Sequence, residues 1–358
     1  MSAELAFIFP IDGDMLHARD GILTDESLHI NVRVTAPASH YLTVNGISAT
    51  YEAGTFSANI PLTNYANKLV LHDYTTGQEQ AITVYRLPNF AGHYRLSIDD
   101  NIWFLRDIYQ QGDRYQSLFD NPYLGFLKQV HDNYQTKIHL NLFYETDQFN
   151  LTQFPDRFKA EWQANADWLR LSFHARGEFP DMPYRTAGYE QVARDCALVQ
   201  AEIRRFAGDA LMGPVTTLHW GESTVDGSRA LRDAGYTGQL GYFNVDDELP
   251  AVSYYLTADQ RRHMKKRFVW HDNAEGITFI RSSIVIDKTE LADIVPALDR
   301  YADLPSGLPP FVDLLVHEQY FYPFYEAYQP DFRDRILKAV AWATDKGYTP
   351  AFLSECIF

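Results

Sequence analysis

Apolar and polar positions follow two different periods along this chain, and the change comes near residue 88. Before it, short runs alternate: LHINVRV, HYLTVNG, GTFSANIPL, NKLVLHDY and QAITVYRL. A period of two sends successive side chains to opposite faces of an extended backbone, so each run reads as a strand with one buried face. Turn-forming pairs such as Asn45-Gly46 and Thr76-Gly77 punctuate them. Residues 1–88 are therefore expected to form a small all-β sandwich of immunoglobulin type.

After RLPNFAG (Arg86 to Gly92) strands alternate with helices. Apolar runs at 94–98, 137–143, 168–174, 215–220, 238–243, 278–286, 312–317 and 348–354 read as strands. Between them lie stretches with helical spacing, clearest from Tyr189 to Gly208 and from Asp331 to Gly347, each with a glycine at its expected stop. This pattern predicts an α/β domain over 89–358, an irregular (β/α) barrel of seven or eight strands in preference to an open sheet.

Composition narrows the partners. The 31 basic and 47 acidic side chains give a formal net charge of −16, which repels phosphate backbones and anionic lipid, so neither nucleic acid nor a membrane surface is expected. No window approaches the ~20 apolar residues of a membrane helix. The opening MSAELAFIFPIDGD lacks a basic leader, so the chain as it stands reads as cytoplasmic, or as exported if a leader precedes it. Cys196 and Cys356 stand far apart and outside any metal or redox spacing. Aromatic residues reach 15%, enough for stacking surfaces as well as packing. Phosphate-binding loops, Gly-x-Ser-x-Gly elbows and dinucleotide fingerprints are missing from the sequence. Oligomeric state is left open.

In a (β/α) barrel the chemistry collects at the carboxyl ends of the strands. The polar residues there are Asp99 and Asp100, Asn141, His174 and Glu178, His219, Trp220 and Glu222, Asp246 and Asp247, and His317 and Glu318. Adjacent aspartates repel unless a cation relieves them; one carboxylate can then bind the ion while the other hydrogen-bonds to a water on it. Imidazole and carboxylate four residues apart, as in His174 and Glu178, suit zinc or a related metal. Trp103, Trp220, Tyr184 and Tyr242 lie near strand ends, where their faces could stack on a sugar. His139, inside a strand, reads as a satisfied core histidine.

These motifs resemble the NodB-type polysaccharide deacetylases, metal-dependent carbohydrate esterases on an irregular (β/α) barrel. Ser97-Ile98-Asp99-Asp100-Asn101 is similar to their Thr-Phe-Asp-Asp-Gly, the segment from His174 to Pro180 to their His-Ser/Thr-x-x-His-Pro, and Leu315-Val316-His317 to their Leu-x-His. The resemblance covers about residues 90–358 and implies a divergent member. It implies Asp99 as catalytic base, His317 as catalytic acid, and Asp100 and His174 as ligands of a divalent metal, with zinc expected. Where the family has its second histidine this chain has Glu178, which becomes the expected third ligand; Asp100, His174 and His219 are the other possible set, and a site without metal the third possibility. His219, Trp220, Trp103, Tyr184 and Asn141 are expected to contact substrate. The activity implied is removal of N- or O-acetyl groups from a carbohydrate. The alternatives are a glycoside hydrolase pairing Asp100 with Glu178 or Glu222, and a non-catalytic carbohydrate-binding protein.

Overall fold

Burial alternates along Leu28–Thr35 as the period of two requires, with Leu28, Ile30, Val32 and Val34 inward and Asn31 and Arg33 outward. The same alternation runs along Thr55–Leu62 and Ala66–Asp73. In the computed structural model, which describes residues 4–246, 250–304 and 307–357, the chain divides into two units: Met1–Ala91 with Val269–Gly276, and Gly92–Phe268 with Ile277–Cys356.

The first unit holds two five-stranded sheets. In one, Ala6–Phe9, Leu28–Thr35, Thr55–Leu62 and Thr50–Glu52 lie side by side, and Gly21–Leu23 also pairs with Leu28–Thr35. The other runs Met15–Leu16, Gln78–Arg86, Ala66–Asp73, Leu42–Val44, Ile47–Ser48. Ile30, Phe56 and Ile60 of the first share one core with Leu42, Leu69, Leu71 and Val84 of the second. The ladders are antiparallel except where Met15–Leu16 pairs parallel with Gln78–Arg86. Local periodicity does not predict the return of Val269–Gly276 to this unit. His271 N–H donates to the Gly13 carbonyl at 2.9 Å and Trp270 Nε1–H to that of Asp12 at 2.8 Å. Gly13 is required there: its φ is +81°, and a Cβ would stand 1.9 Å from the His271 carbonyl oxygen.

The parallel sheet of the second unit is built mainly on β1 (His93–Asn101), β2 (Ile138–Phe143), β3 (Leu169–Ala175), β4 (Val215–Thr216), β5 (Gly238–Gly241), β6 (Ile277–Arg281), β7 (Ile284–Val285) and β8 (Phe311–His317), with Thr349–Pro350 adding a short parallel pairing to β1. One sheet has the order β3-β2-β1-β8-β7, and in a second β4, β5 and β6 follow one another. Neighbours within each sheet therefore follow chain order, with β8 beside β1, and the ladder is interrupted between β3 and β4 and between β6 and β7. Between β3 and the β4 side, the bridge among the described residues joins Leu171 to Met212, just before β4. Between β6 and β7 just Ser282 and Ser283 intervene, too few for a crossover helix; Ser282 N–H bonds to the Gly241 carbonyl and Ser283 N–H to that of Asp313, so the chain changes sheets at that corner. The run expected as one strand over 278–286 is thus two strands in different sheets. The last expected strand shrinks to Thr349–Pro350, followed by a short helix at Leu353–Ile357.

Helices of the second unit include α1 (Trp103–Gln111), α2 (Pro122–Tyr134), α3 (Tyr189–Phe206), α4 (Val225–Asp233) and α5 (Phe332–Asp345). Helix α3 buries Val192, Cys196, Val199, Ile203 and Phe206 at three- and four-residue spacing, the stripe its sequence showed. Asn121 caps α2, its Oδ1 accepting from the backbone of Tyr123 and Leu124. Helix α1 has no cap of its own. Instead Glu318, just past β8, accepts the N–H groups of Ile102, Trp103 and Phe104 at 2.6, 2.9 and 2.6 Å. One carboxylate thereby ties the end of β8 to the segment that follows β1. No described helix is long and apolar enough to cross a membrane.

Candidate active site

Strand β1 ends in a bulge. Its register on β2 slips between Ile98 and Asn101, and Asp100 takes a left-handed conformation with φ +62°, tolerable for aspartate and uncommon for other side chains. Simple alternation would point Asp99 and Asp100 to opposite faces; with the bulge, both line one cavity of about 650 Å3. His174 from the end of β3, His219 from the turn after β4 and His317 from the end of β8 line it too, as do Glu178 and Trp220.

Asp100, His174 and His219 form the tightest cluster, all buried. Asp100 Oδ1 lies 2.8 Å from His174 Nε2 and 3.1 Å from His219 Nδ1, and the two ring nitrogens are 3.1 Å apart. The far side of each ring fixes its tautomer. His174 Nδ1 meets the main-chain carbonyl of Thr217, and His219 Nε2 that of Glu178 at 3.1 Å. A carbonyl only accepts, so each ring carries its proton there. Two imidazole lone pairs and one carboxylate oxygen are left converging on a single point. Such a trio repels unless a cation lies within it, either an additional proton or a metal ion. In the absence of an ion, burial opposes charge on His174, yet Asp99 and Asp100 outweigh it and raise its pKa. Burial likewise opposes ionisation of Asp100; once the imidazole edges facing it are protonated, the hydrogen bonds of His174 and His219 override that, holding the carboxyl well below its usual range. Gln319 Nε2 donates to Asp100 Oδ2 at 2.8 Å and completes its setting.

Asp99 has a different environment. Burial pushes its pKa up against the pull of His174 and His317. Its Oδ1 accepts from Asn141 Nδ2 at 2.6 Å, and among the described residues Oδ2 has no donor. Behind it lies a chain of hydrogen bonds whose direction is fixed at its origin, because a guanidinium can only donate. Arg95, paired to Asp313 at 2.7 Å, approaches His139 Nδ1 at 3.0 Å; His139 Nε2–H must then donate to Ser172 Oγ, 2.9 Å away, and Ser172 donates to Asn141 Oδ1. Burial and the charges of Arg95 and Arg170 lower the His139 pKa, keeping the ring neutral as this direction requires. Gly213 leaves room for the ring, since a Cβ there would stand 2.3 Å from His139 Cε1. His139→Leu is expected to lower turnover about tenfold or more by freeing the Asn141 amide to flip. His139→Gln, whose amide also accepts on one side and donates on the other, should keep most of the rate. Steady-state kinetics on the two folded variants check this.

His317 is oriented by Asp287, which accepts from its backbone N–H at 3.0 Å and from Nδ1 at 3.0 and 3.1 Å through its two oxygens. Burial depresses the imidazole pKa, but the Asp287 carboxylate overcomes it and pushes it up to about 10.

Of the residues expected at the site, Asp99, Asp100, His174, Glu178, His219, Trp220 and His317 line the cavity. Glu178 does not join the ligand cluster with its carboxylate; it contributes its carbonyl, and His219 stands in the third position. Asn141 is buried behind Asp99. Trp103 lies farther along, packed with Tyr322, Phe324 and Tyr325. Tyr184 is 1% exposed, its hydroxyl bonded to the Arg176 N–H and to Asp195. Glu222 accepts from Val252 N–H and is not among the cavity residues. Asp247 falls outside the described residues. Three partners were missed by sequence reasoning. Asp287 directly follows the expected strand 278–286, so the strand-end rule could have found it. Gln319 and the Thr217 carbonyl carry no comparable signal.

No protein-family model matches the chain, and no curated protein matches it. Among solved structures, a 4-α-glucanotransferase from Thermococcus litoralis aligns over 75% of this chain at 11% identity and a TM-score of 0.47; the chain spans only 40% of that protein. A protein assigned as a polysaccharide deacetylase from Mycobacterium smegmatis aligns over 75% of this chain and 90% of its own, at 11% identity and a TM-score of 0.41. The carbohydrate deacetylase Agd3 aligns over 93% and 71%, at 8% identity and a TM-score of 0.42.

Proposed function

We propose that the chain is a metal-dependent hydrolase that removes acetyl groups from a carbohydrate. The observation that carries this reading is the convergence of three unprotonated donor atoms, from Asp100, His174 and His219, each imidazole locked by a main-chain carbonyl on its other side. Their separations of 2.8 to 3.1 Å approach the ~3.3 Å edge of a tetrahedron with ~2.0–2.1 Å bonds, and mixed imidazole and carboxylate donors suit zinc among the divalent transition metals. When bound, a divalent ion there supplies Lewis acidity to the acyl carbonyl and to water.

The chain's own groups divide the proton work. Asp99 Oδ2, with no protein donor, takes the proton of the attacking water, while Asn141 holds Oδ1 and so aims the free oxygen. His317, protonated through neutral pH and held at Nδ1 by Asp287, presents Nε2–H to the departing sugar oxygen or nitrogen. Trp220, 37% exposed at the cavity, offers an aromatic face for the sugar. The glycoside hydrolase alternative finds less support, because Asp100 is committed to two histidines and Glu222 lies outside the cavity.

Acetate release from acetylated oligosaccharides, lost on chelation and regained with zinc or another divalent ion, is the expected result. Absence of release from protein shown to contain the metal would reject the proposal, and sugar binding without turnover would favour a non-catalytic role. The pH profile gives a second check. Activity needs His317 protonated, so it falls as pH rises through that pKa; Asp287→Asn removes the chief anion that raises the pKa, leaving Asp100 and Asp99 alone to oppose burial. The alkaline limb of kcat should then move to lower pH by about one unit or more.

A further inference from the structure

Beside the active-site cavity lies a second one of about 460 Å3, between α1 and the segment 321–333. That volume is within the ~300–1,000 Å3 of ordinary small-ligand sites. Its walls are aromatic, including Trp103, Tyr322 and Phe324, the last 64% exposed. Two arginines also line it. The Arg106 guanidinium lies 5.8 Å from the Trp103 ring centroid and 6.0 Å from that of Phe324, and Arg333 lies 5.3 Å from each of Phe126 and Phe321.

Ring stacking holds a guanidinium plane while leaving its N–H edge free. Among the described residues neither guanidinium has an ion-pair or hydrogen-bond partner, on a chain with 47 acidic side chains to offer. The carboxylate nearest in sequence, Asp107, also lines the cavity but is occupied by Tyr115 Oη, Asn121 Nδ2 and Gln111 Nε2. Two guanidinium groups without a bonded partner, among aromatic faces, match a ligand with a flat hydrocarbon side and an anionic edge.

The cavity is not isolated from the metal cluster. A third cavity, of about 680 Å3, shares Trp103, Arg106 and Phe324 with it, and shares Glu178 and Tyr325 with the active-site cavity. The shared residues set the three cavities side by side.

We propose that this cavity binds an acidic sugar, a uronate-type residue whose carboxylate is taken by Arg106 and Arg333 while its ring lies on Trp103 and Phe324. Resting on the function proposed above, this makes the substrate an anionic glycan several residues long, with the acetyl-bearing sugar at the metal cluster and an acidic one in this cavity.

The test is calorimetric titration of the full chain with tetragalacturonic acid and with its carboxyl-reduced counterpart, galactotetraose, and with sodium sulfate at matched ionic strength. Acid binding about tenfold or more tighter than neutral binding is expected, that gap narrowing about tenfold in Arg333→Gln and in Arg106→Gln, as loss of one charge-assisted hydrogen-bonding group predicts. Arg333 is exposed, so its replacement leaves the fold intact. Equal binding of acid and neutral sugar, acid binding that survives both substitutions, or sulfate competing as strongly as the acid would overturn the proposal. The two readings fail separately. Acetate release from neutral glycans with no preference for the acid rejects the acidic subsite alone; tight acid binding with no acetate release from any acetylated glycan rejects the hydrolase alone.

Discussion

Asp100→Asn is expected to abolish metal binding and lower acetyl release by ~10^3 or more, while leaving the metal-free protein at least as heat-stable as the parent. The asymmetry follows from the donor set. In the parent, one carboxylate oxygen faces two imidazole lone pairs at 2.8 and 3.1 Å. An asparagine amide turned so that its NH2 meets the two histidines supplies the missing protons, and its oxygen can still accept from Gln319 Nε2. Asparagine also tolerates the +62° φ of this position, which alanine does not. Thermal melts in chelator, metal content and acetate release separate the outcomes. A lower melting temperature for Asp100→Asn in chelator would show the cluster to be a structural hydrogen-bond network and not a cation site.

Glu318→Gln is the substitution expected to cost most stability. The carboxylate is fully buried and takes four donors: Ile102 and Trp103 N–H on Oε2, Phe104 N–H and the Tyr322 hydroxyl on Oε1. Glutamine keeps one accepting oxygen and turns an NH2 toward donors; the Tyr322 hydroxyl can turn to accept, but at least one backbone N–H at the start of α1 faces a like group and loses its partner. At ~1–3 kcal/mol for a buried group left unsatisfied, unfolding free energy should fall by about that much. Urea denaturation measures it, and a loss below about 1 kcal/mol would reject the argument. Metal affinity should fall as well, because Ile102 follows the Asp99 to Asn101 bulge directly and Gln319, which holds Asp100, follows Glu318.

How much of this was legible in the sequence depends on the range over which each feature is determined. The alternation in Leu28–Thr35 and the helical stripe of α3 are local, and the structure shows both at close to the expected bounds. The break at Ser282 and Ser283 was not legible: TFIRSSIVI is uniformly strand-like, and the change of sheet depends on carbonyls of Gly241 and Asp313, far away in sequence. At the site, the strand-end rule and the family motif together named Asp99, Asp100, His174 and His317, all of which line one cavity. For the third position the sequence left Glu178 and His219 as alternatives with Glu178 preferred, and the tight cluster contains His219. Spacing favoured Glu178, four residues after His174, whereas the loop directs its carbonyl to His219 and leaves the carboxylate to the side. His139 was rightly read as satisfied, yet nothing local signals that it stands in a chain of donors reaching from Arg95 to Asp99.

The two rings of the Asp100, His174 and His219 cluster are oriented by peptide oxygens, at Thr217 and Glu178. Those atoms are common to all twenty residue types, so no exchange of side chain at 217 or 178 deletes them. Drift in the gene can therefore swap the ligands themselves or bend the loops, but it has no direct way to untether an imidazole. Ligand identity should vary among descendants of this chain sooner than ring orientation does, and a designer wishing to change the bound ion has three side chains to alter within a bracket that is already inherited.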